Sequence, residues 1–467
     1  MTLVNTASAP SASVIAGRYV FAHYFVPYPI SIDNKNASAD YYQNNYLTPV
    51  IEGLGQPWQI DHRPYGGLLR DRPIPRPVKS STNWKVEDLI VEVGQAKSVN
   101  IDGFAMDIMY DPKSTSWQAG QQLNLFKAAS AVGNFKIMLM PDMTSFLLSG
   151  ATYQKAASIC YYYASAFPNV VYKEGGSVVV APFAVERQAP SWWASFISYC
   201  SSNYGMSVAL ISQFNAIDVS AGSANYRGVS YGMSNWGNRN PAGNSTASSG
   251  TPIKRIAVIK NAGMKWMQPV SVQDERPNQH IYDEAQNLQN LRNTWTIAIS
   301  GSANLIQIPT WNDYSENAHI APSRDHGWAY TNIQKYYIQW FKTGVQPTIS
   351  ADSIYLTHRK HFYADTPTYP ETSLMTLRPG SSPSRNTVEA MAFLTSPATI
   401  KITTGSTVTN FSASAGVNVF TTPLTTGNIS ASIVRSSSVI LNVSTACAVT
   451  HTPYVQDLQY ISAVASK

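Results

Sequence analysis

Two carboxylates three positions apart, Asp313 and Glu316, lie in the segment Trp311-Asn312-Asp313-Tyr314-Ser315-Glu316. The apolar run Leu305-Ile306-Gln307-Ile308 precedes them and predicts a buried strand. A strand that delivers acids at its C-terminal end is how a β/α barrel assembles a catalytic site. Paired acids beside aromatic rings suit cleavage of a glycosidic bond. Inverting glycosidases hold the two carboxyls roughly 6.5–9.5 Å apart, and retaining ones about 5–5.5 Å. Spacing in sequence does not choose between them. A solvated loop pair or a helix-start acid is the bland alternative; Trp311 and Asn312 at the same strand end favour chemistry.

Other strand ends carry polar groups too. Asp107 closes "IDGFAMD" and Asp142 closes "FKIMLMPD". A buried strand-end carboxylate needs a partner or a role. Asp107 is a candidate to orient water or hold a sugar hydroxyl, against a plain salt bridge. Asp142 is a candidate for substrate binding. The cluster "SVQDERPNQHIYDEAQN" offers Asp274, Arg276 and Tyr282 for hydroxyl recognition, while Asp283 and Glu284 suit the first turn of a helix. Trp236, Trp311 and Tyr231 are candidate stacking platforms, with Asn312 beside them. His23, in the first strand, is read as a site-wall histidine. "THRKH" around His358 reads as a surface strand. No His-Glu-x-x-His pattern or close His/Cys/carboxylate grouping suggests a metal, and no cofactor is expected. Serine-based catalysis lacks its Gly-x-Ser-x-Gly elbow.

The elements that must position these groups alternate up to Gly344. Eight apolar runs read as strands: "YVFAHYFV", "IDGFAMDIM", "FKIMLMPDM", "SVVVAPFAV", "SVALISQF", "GVSYGMSNW", "KWMQPVSV" and "NLIQIPTW". Helical patterns or loops separate them, among them "WKVEDLIVEVGQAKSV" with Asn83 as its cap and a helix from Tyr282 to Ser300. Short continuous apolar runs are what a parallel sheet covered on both faces needs. The number of runs, with acids recurring at their ends, predicts a closed α/β barrel. Pro27–Thr82 is too long for a connector and reads as a functional loop. After Val345 the chain turns to short Ser/Thr/Val-rich strands, the pattern of a β-sandwich. The expected organisation is a flexible lead over residues 1–17, a barrel over 18–344 and an accessory sandwich over 345–467.

Bulk composition agrees. Only 13% of the 467 residues are charged, roughly half the usual share. The net charge of +6 is scattered, without the basic runs of a nucleic-acid binder. No stretch approaches the ~18 apolar residues of a membrane helix. Three cysteines make no disulfide framework; Cys160 and Cys200 read as buried thiols that one bridge could join. Glycosylation triplets at Asn36, Asn244, Asn410, Asn428 and Asn442 favour secretion weakly.

The segments "YVFAHYFV", "DGFAMDI", "KIMLMPDM", "GVSYGMSNWG", "MQPVSVQDERP", "IYDEA" and "IQIPTWNDYSE" resemble, in this order, glycoside hydrolase family 71, the fungal endo-α-1,3-glucanases or mutanases. The resemblance covers roughly residues 18–344, and "IYLTHRKHFY" is similar to the opening of that family's sandwich. It implies a (β/α)8 barrel, an inverting mechanism and no metal. It places the catalytic acids on Asp313 and Glu316 and a further aspartate on Asp107. Ser315 stands where the family commonly has glycine, and the first loop is long, which bears on subsite shape. The expected protein is a secreted, monomeric endo-hydrolase of α-1,3-glucan, with Glu316 favoured as acid and Asp313 as base. The alternatives are a barrel hydrolase of another α-glycan, such as an endo-α-mannosidase-like enzyme, or a non-catalytic glucan-binding protein.

Overall fold

The computed structural model describes residues 7–8, 13–49, 61–215 and 223–467. Eight parallel strands form the barrel: β1 (Tyr19–Tyr24), β2 (Gly103–Ile108), β3 (Lys136–Pro141), β4 (Ser177–Val180), β5 (Val208–Phe214), β6 (Gly232–Asn235), β7 (Lys265–Pro269) and β8 (Leu305–Ile308). Each pairs with its successor, and β8 pairs with β1 (Ile308 opposite Ala22), so the sheet closes.

Successive strand residues face opposite sides of the sheet. Here the alternation sorts residues between two cores. Val20, Ala22, Phe104, Met106, Ile137 and Leu139 pack outward under the helices. Phe21, Ala105, Met138, Met140, Ile211 and Leu305 fill the barrel. His23 and Asp107 share the parity of the inner set, so the same period that fills the barrel brings them to its axis. Gly103 opens β2 because a Cβ there would lie 2.2 Å from Lys136 O and 2.7 Å from the Phe21 ring.

The covering helices are α1 (Trp84–Ser98), α2 (Trp117–Val132), α3 (Tyr153–Ala166), α4 (Pro190–Tyr204), α5 (Thr251–Asn261), α6 (Gln289–Ser300) and α7 (Ala329–Thr343). Between β5 and β6 the described residues hold only a short 3-10 turn, Ala224–Tyr226. Ser116 and Thr152 cap α2 and α3 by accepting from backbone N–H groups. Asn83 precedes α1, but its side chain makes no capping bond. Gly344 ends α7 in the left-handed region, at φ 73°.

The C-terminal strands are β9 (Ser353–His358), β10 (Thr387–Leu394), β11 (Ala398–Thr404), β12 (Thr407–Ala413), β13 (Gly416–Pro423), β14 (Ile429–Arg435), β15 (Ser438–Ser444) and β16 (Ile461–Ser466). They form two antiparallel four-stranded sheets, β13-β10-β9-β16 and β12-β11-β14-β15. Ile354, Leu356, Ala390, Ile400, Ile402 and Ile433 fill the space between the sheets.

Several expectations are corrected. The helix expected from Tyr282 starts at Gln289, and Ile281–Asp283 instead forms a hairpin with Asp274–Arg276. Within the span 345–467 expected to be sandwich, Thr376–Leu377 instead joins that hairpin, parallel to Ile281–Tyr282. "THRKH" is no surface strand: His358, Arg359 and His361 are buried, and Arg359 donates to Glu284 at 2.9 Å. Cys160 and Cys200 are buried free thiols. Of the lead, residues 1–6 and 9–12 lie outside the described set, while Ala7–Ser8 pairs with Thr348–Ile349.

Candidate active site

A cavity of about 300 Å³ opens at the C-terminal mouth of the barrel. Its walls include His23, Asp107, Asp142, Trp236, Arg276, Asp313 and Glu316, together with Phe25, Phe183, Asn215, Gln279 and Ser315. Every strand contributes at or beyond its end: His23 and Phe25 from β1, Asp107 from β2, Asp142 after β3, Phe183 after β4, Asn215 after β5, Trp236 after β6, Arg276 and Gln279 after β7, and Asp313, Ser315 and Glu316 after β8.

The loop after β8 holds the acidic pair. Thr310 N–H donates to Ala318 O at 3.0 Å, and Trp311 N–H to His23 O at 2.7 Å, tying the loop to itself and to β1. Asp313 N–H donates to Thr310 Oγ1 at 2.9 Å. Its Oδ1 accepts from Ser315 Oγ at 2.6 Å and Ser315 N–H at 3.0 Å. Glu316 Oε1 meets Arg276 Nη1 at 2.8 Å. Burial raises both acids, and each raises its partner or feels a like charge nearby. Asp313 is pushed up to about 6 against the pull of Ser315 and Arg276. Glu316 is pushed up to about 7, with Arg276 opposing and Asp313 and Asp274 adding. One can therefore hold a proton near neutrality while the other is ionised.

Asp107 lies across the cavity. Burial, then Asp142, drives its carboxyl well above the ordinary range. Burial also pushes His23 down to about 4. The His23 Nε2–Asp107 Oδ2 contact of 3.6 Å joins a histidine that is neutral near pH 7 to a carboxyl whose burial disfavours ionisation. His23 Nδ1 and Asp107 Oδ1 are buried without partners. Buried polar atoms normally have one, and a sugar hydroxyl would supply it. Asp142 is oriented by Thr144, whose N–H and hydroxyl donate to Oδ1 at 2.8 and 2.7 Å. Trp236 meets His23 edge-on at 5.0 Å and Phe183 at 4.8 Å.

Not every residue singled out in the sequence reaches the cavity. Trp311 is completely buried; its indole packs on Phe104 and donates to Glu92 Oε2 at 3.2 Å, so it offers no stacking face. Asn312 spends its amide on Phe25 and Tyr28 backbone, fixing the β1 loop. Tyr231 precedes β6, at the opposite end of the barrel, where it donates to Glu174. Tyr282 packs with Met375 and Leu458, its hydroxyl 2.6 Å from Ser384 Oγ. Asp274 does not line the cavity but grips Arg276 with both oxygens, at 2.7 and 2.6 Å.

The sequence also concealed contributors. Asn215 carried a signal, being a strand-end residue. Glu92 carried another, an acid within the apolar stripe Leu89, Val93 and Ala96 of α1. Burial raises Glu92 to about 8, so it sits protonated beneath Trp311. Asp71, His319 and His326 bring possible metal-ligand atoms within 4.8 Å of one another. None lines the cavity, and His319 Nε2 already bonds Asp71 Oδ2 at 3.0 Å.

A barrel with two poised carboxylates, aromatic walls and unsatisfied polar atoms at its C-terminal mouth has the build of a glycoside hydrolase. The model of glycosyl hydrolase family 71 matches residues 77–465, and the chain belongs to that family. It is 24% identical over 371 residues to the glucan endo-1,3-alpha-glucosidase agn1 of Schizosaccharomyces pombe, covering 74% of this chain and 81% of that protein. It is also 24% identical over 384 residues to the mutanase Pc12g07500 of Penicillium rubens, covering 77% and 81%. Its fold is similar to that of the GH99 endo-alpha-mannosidase from Bacteroides thetaiotaomicron, with a TM-score of 0.53 at 12% identity, over 69% of this chain and 97% of that one.

Proposed function

We propose that this glycoside hydrolase cleaves α-1,3-glucosidic bonds within α-1,3-glucan, with inversion at the anomeric carbon. The family and the names of both relatives support the substrate. The single observation that carries the mechanism is the cavity-lining pair Asp313 and Glu316, both raised into the range where acid and base work near neutrality.

Glu316, raised to about 7, is the acid. It protonates the glycosidic oxygen as the bond from that oxygen to C1 breaks. Asp313, whose ionised form the Ser315 hydroxyl and N–H favour, is the base. It takes a proton from the water whose oxygen bonds to C1 on the opposite face. Asp107 and His23 hold sugar hydroxyls with the atoms the protein leaves unpaired. The exposed triplet asparagines Asn36, Asn410, Asn428 and Asn442 support passage through a secretory route, whereas Asn244 is buried and bonded to Asn290.

The test is incubation with insoluble α-1,3-glucan, following reducing ends and anomeric configuration by proton NMR. Oligosaccharides should appear first as β-anomers. Initial α-anomers would overturn inversion, and no release would overturn the substrate.

A further inference from the structure

We propose that Arg378, supplied by the excursion between the first two sandwich strands, is a positioning residue for Glu316, acting through Asp274 and Arg276. The inference rests on Glu316 being one of the two reacting carboxylates.

The hairpin beside the cavity sets Asp274 directly opposite Asp283. Both side chains are buried. Like charges facing each other across a strand pair destabilise it. Arg378 resolves this by bridging them, with Nε 2.6 Å from Asp283 Oδ2 and Nη2 3.3 Å from Asp274 Oδ1. Backbone pairing delivers it there: Thr376 and Leu377 run parallel to Ile281 and Tyr282, and Arg378 N–H donates to Tyr282 O at 2.8 Å. Asp274, so held, grips Arg276 through Nε and Nη2. That leaves Arg276 Nη1 aimed at Glu316 Oε1, at 2.8 Å. A planar guanidinium fixed along one edge fixes the direction of its other nitrogen. The chain of contacts therefore runs from the sandwich side of the molecule into the cavity.

The charges around Glu316 make the effect directional. It faces Arg276 and Asp274 from the hairpin, Arg239 from beyond β6, Asp313 from its own loop and His23 from β1. Asp274 in turn faces Arg276, Arg239 and Arg378. Removing Arg378 leaves Asp274 less compensated, and a more negative neighbour makes Glu316 harder to ionise.

The experiment compares wild type with R378A, R378Q and R378K, and with R435A as a control that breaks a similar pair with Asp352 inside the sandwich. On α-1,3-glucan, kcat of R378A and R378Q should fall about tenfold with KM little changed, the scale expected of a misplaced reacting group. The alkaline limb of the pH profile should move up by about half a unit or more. R378K should recover most of both, and R435A should match wild type. Carbon-13 NMR of carboxyl-labelled glutamate, with the Glu316 signal assigned by its loss in E316Q, reads the same shift without any substrate. Profiles and NMR midpoints that superimpose on wild type would overturn the proposal, even if R378A lowers Tm. Should wild type not cut this glucan, the functional reading fails separately, and the NMR midpoint still decides the role of Arg378.

Discussion

The two ends of the barrel carry the same three chemical parts and use them oppositely. At the N-terminal floor, Glu174 meets Lys265 Nζ at 2.7 Å, accepts from Tyr172 OH at 2.7 Å and also accepts from Tyr231. At the mouth, Glu316 meets Arg276, with Trp236 on the same cavity wall. Burial opposes ionisation at both places. At the floor three donors overcome it and bring Glu174 below the ordinary range. At the mouth one shared guanidinium does not, and Glu316 stays raised. A carboxylate with its full set of donors is a structural part. One left short of them is ready to exchange a proton.

Substitution of the acids themselves should break the contrast most sharply. E316Q should lower kcat on α-1,3-glucan by about 10³-fold or more, the upper range for a general acid. Its Tm at pH 8 should equal or exceed wild type, because the charge it removes is one the fold disfavours. E174Q should do the reverse, keeping kcat while losing Tm at pH 7. Comparable activity losses in the two variants would erase the distinction between the ends.

Next in size comes the contrast between two tryptophans that follow strands. W311A removes a fully buried indole and should cost about 3–5 kcal/mol by denaturant unfolding. W236A removes a ring that is 9% exposed and walls the cavity, so it should cost less stability than W311A and raise KM several-fold. If W236A proved the less stable of the two, the cavity wall would be misassigned.

The pH responses are the finest comparison. Activity should fall as pH rises through about 7, when Glu316 loses its proton, and as pH falls through about 6, when Asp313 gains one. Glu174 is held below its unfolded value, so its contribution to stability is present at neutrality and disappears as acid protonates it. The Tm values of E174Q and wild type should therefore converge at low pH. A constant gap between them down to acid pH would show that Glu174 stabilises by packing alone.

The barrel could be read in the sequence because its signal is local. Runs such as Phe104–Met106 and Ile137–Met140 are apolar on both faces, and Asp107 and Asp142 mark where they end. The mouth was legible for the same reason, since His23, Asp107, Asp142, Trp236, Asp313 and Glu316 all sit at or just past strand ends. What failed depended on distant partners. Nothing near Tyr282 announces that Thr376 and Leu377 will pair with its strand, or that Ser384 will take its hydroxyl. "THRKH" looks solvent-facing until Glu284 and Tyr460 enclose Arg359. Trp311 and Trp236 follow their strands alike. Both donate their backbone N–H to the neighbouring strand, and what separates them is where the ring lands: Trp311 on Phe104 and Glu92, Trp236 on the cavity wall.

The hairpin that carries Arg276 also has a consequence for how the protein is made. Leu458 N–H donates to Glu275 Oε1, 183 positions away, and Tyr460 N–H to Gln273 Oε1, 187 positions away. A chain leaving the ribosome has its barrel strands long before it has those partners, and folding during synthesis proceeds from the N-terminus. The mouth is thus finished well after the barrel that bears it. The hairpin that carries Arg276 gains these two bonds only once Leu458 and Tyr460 have been made.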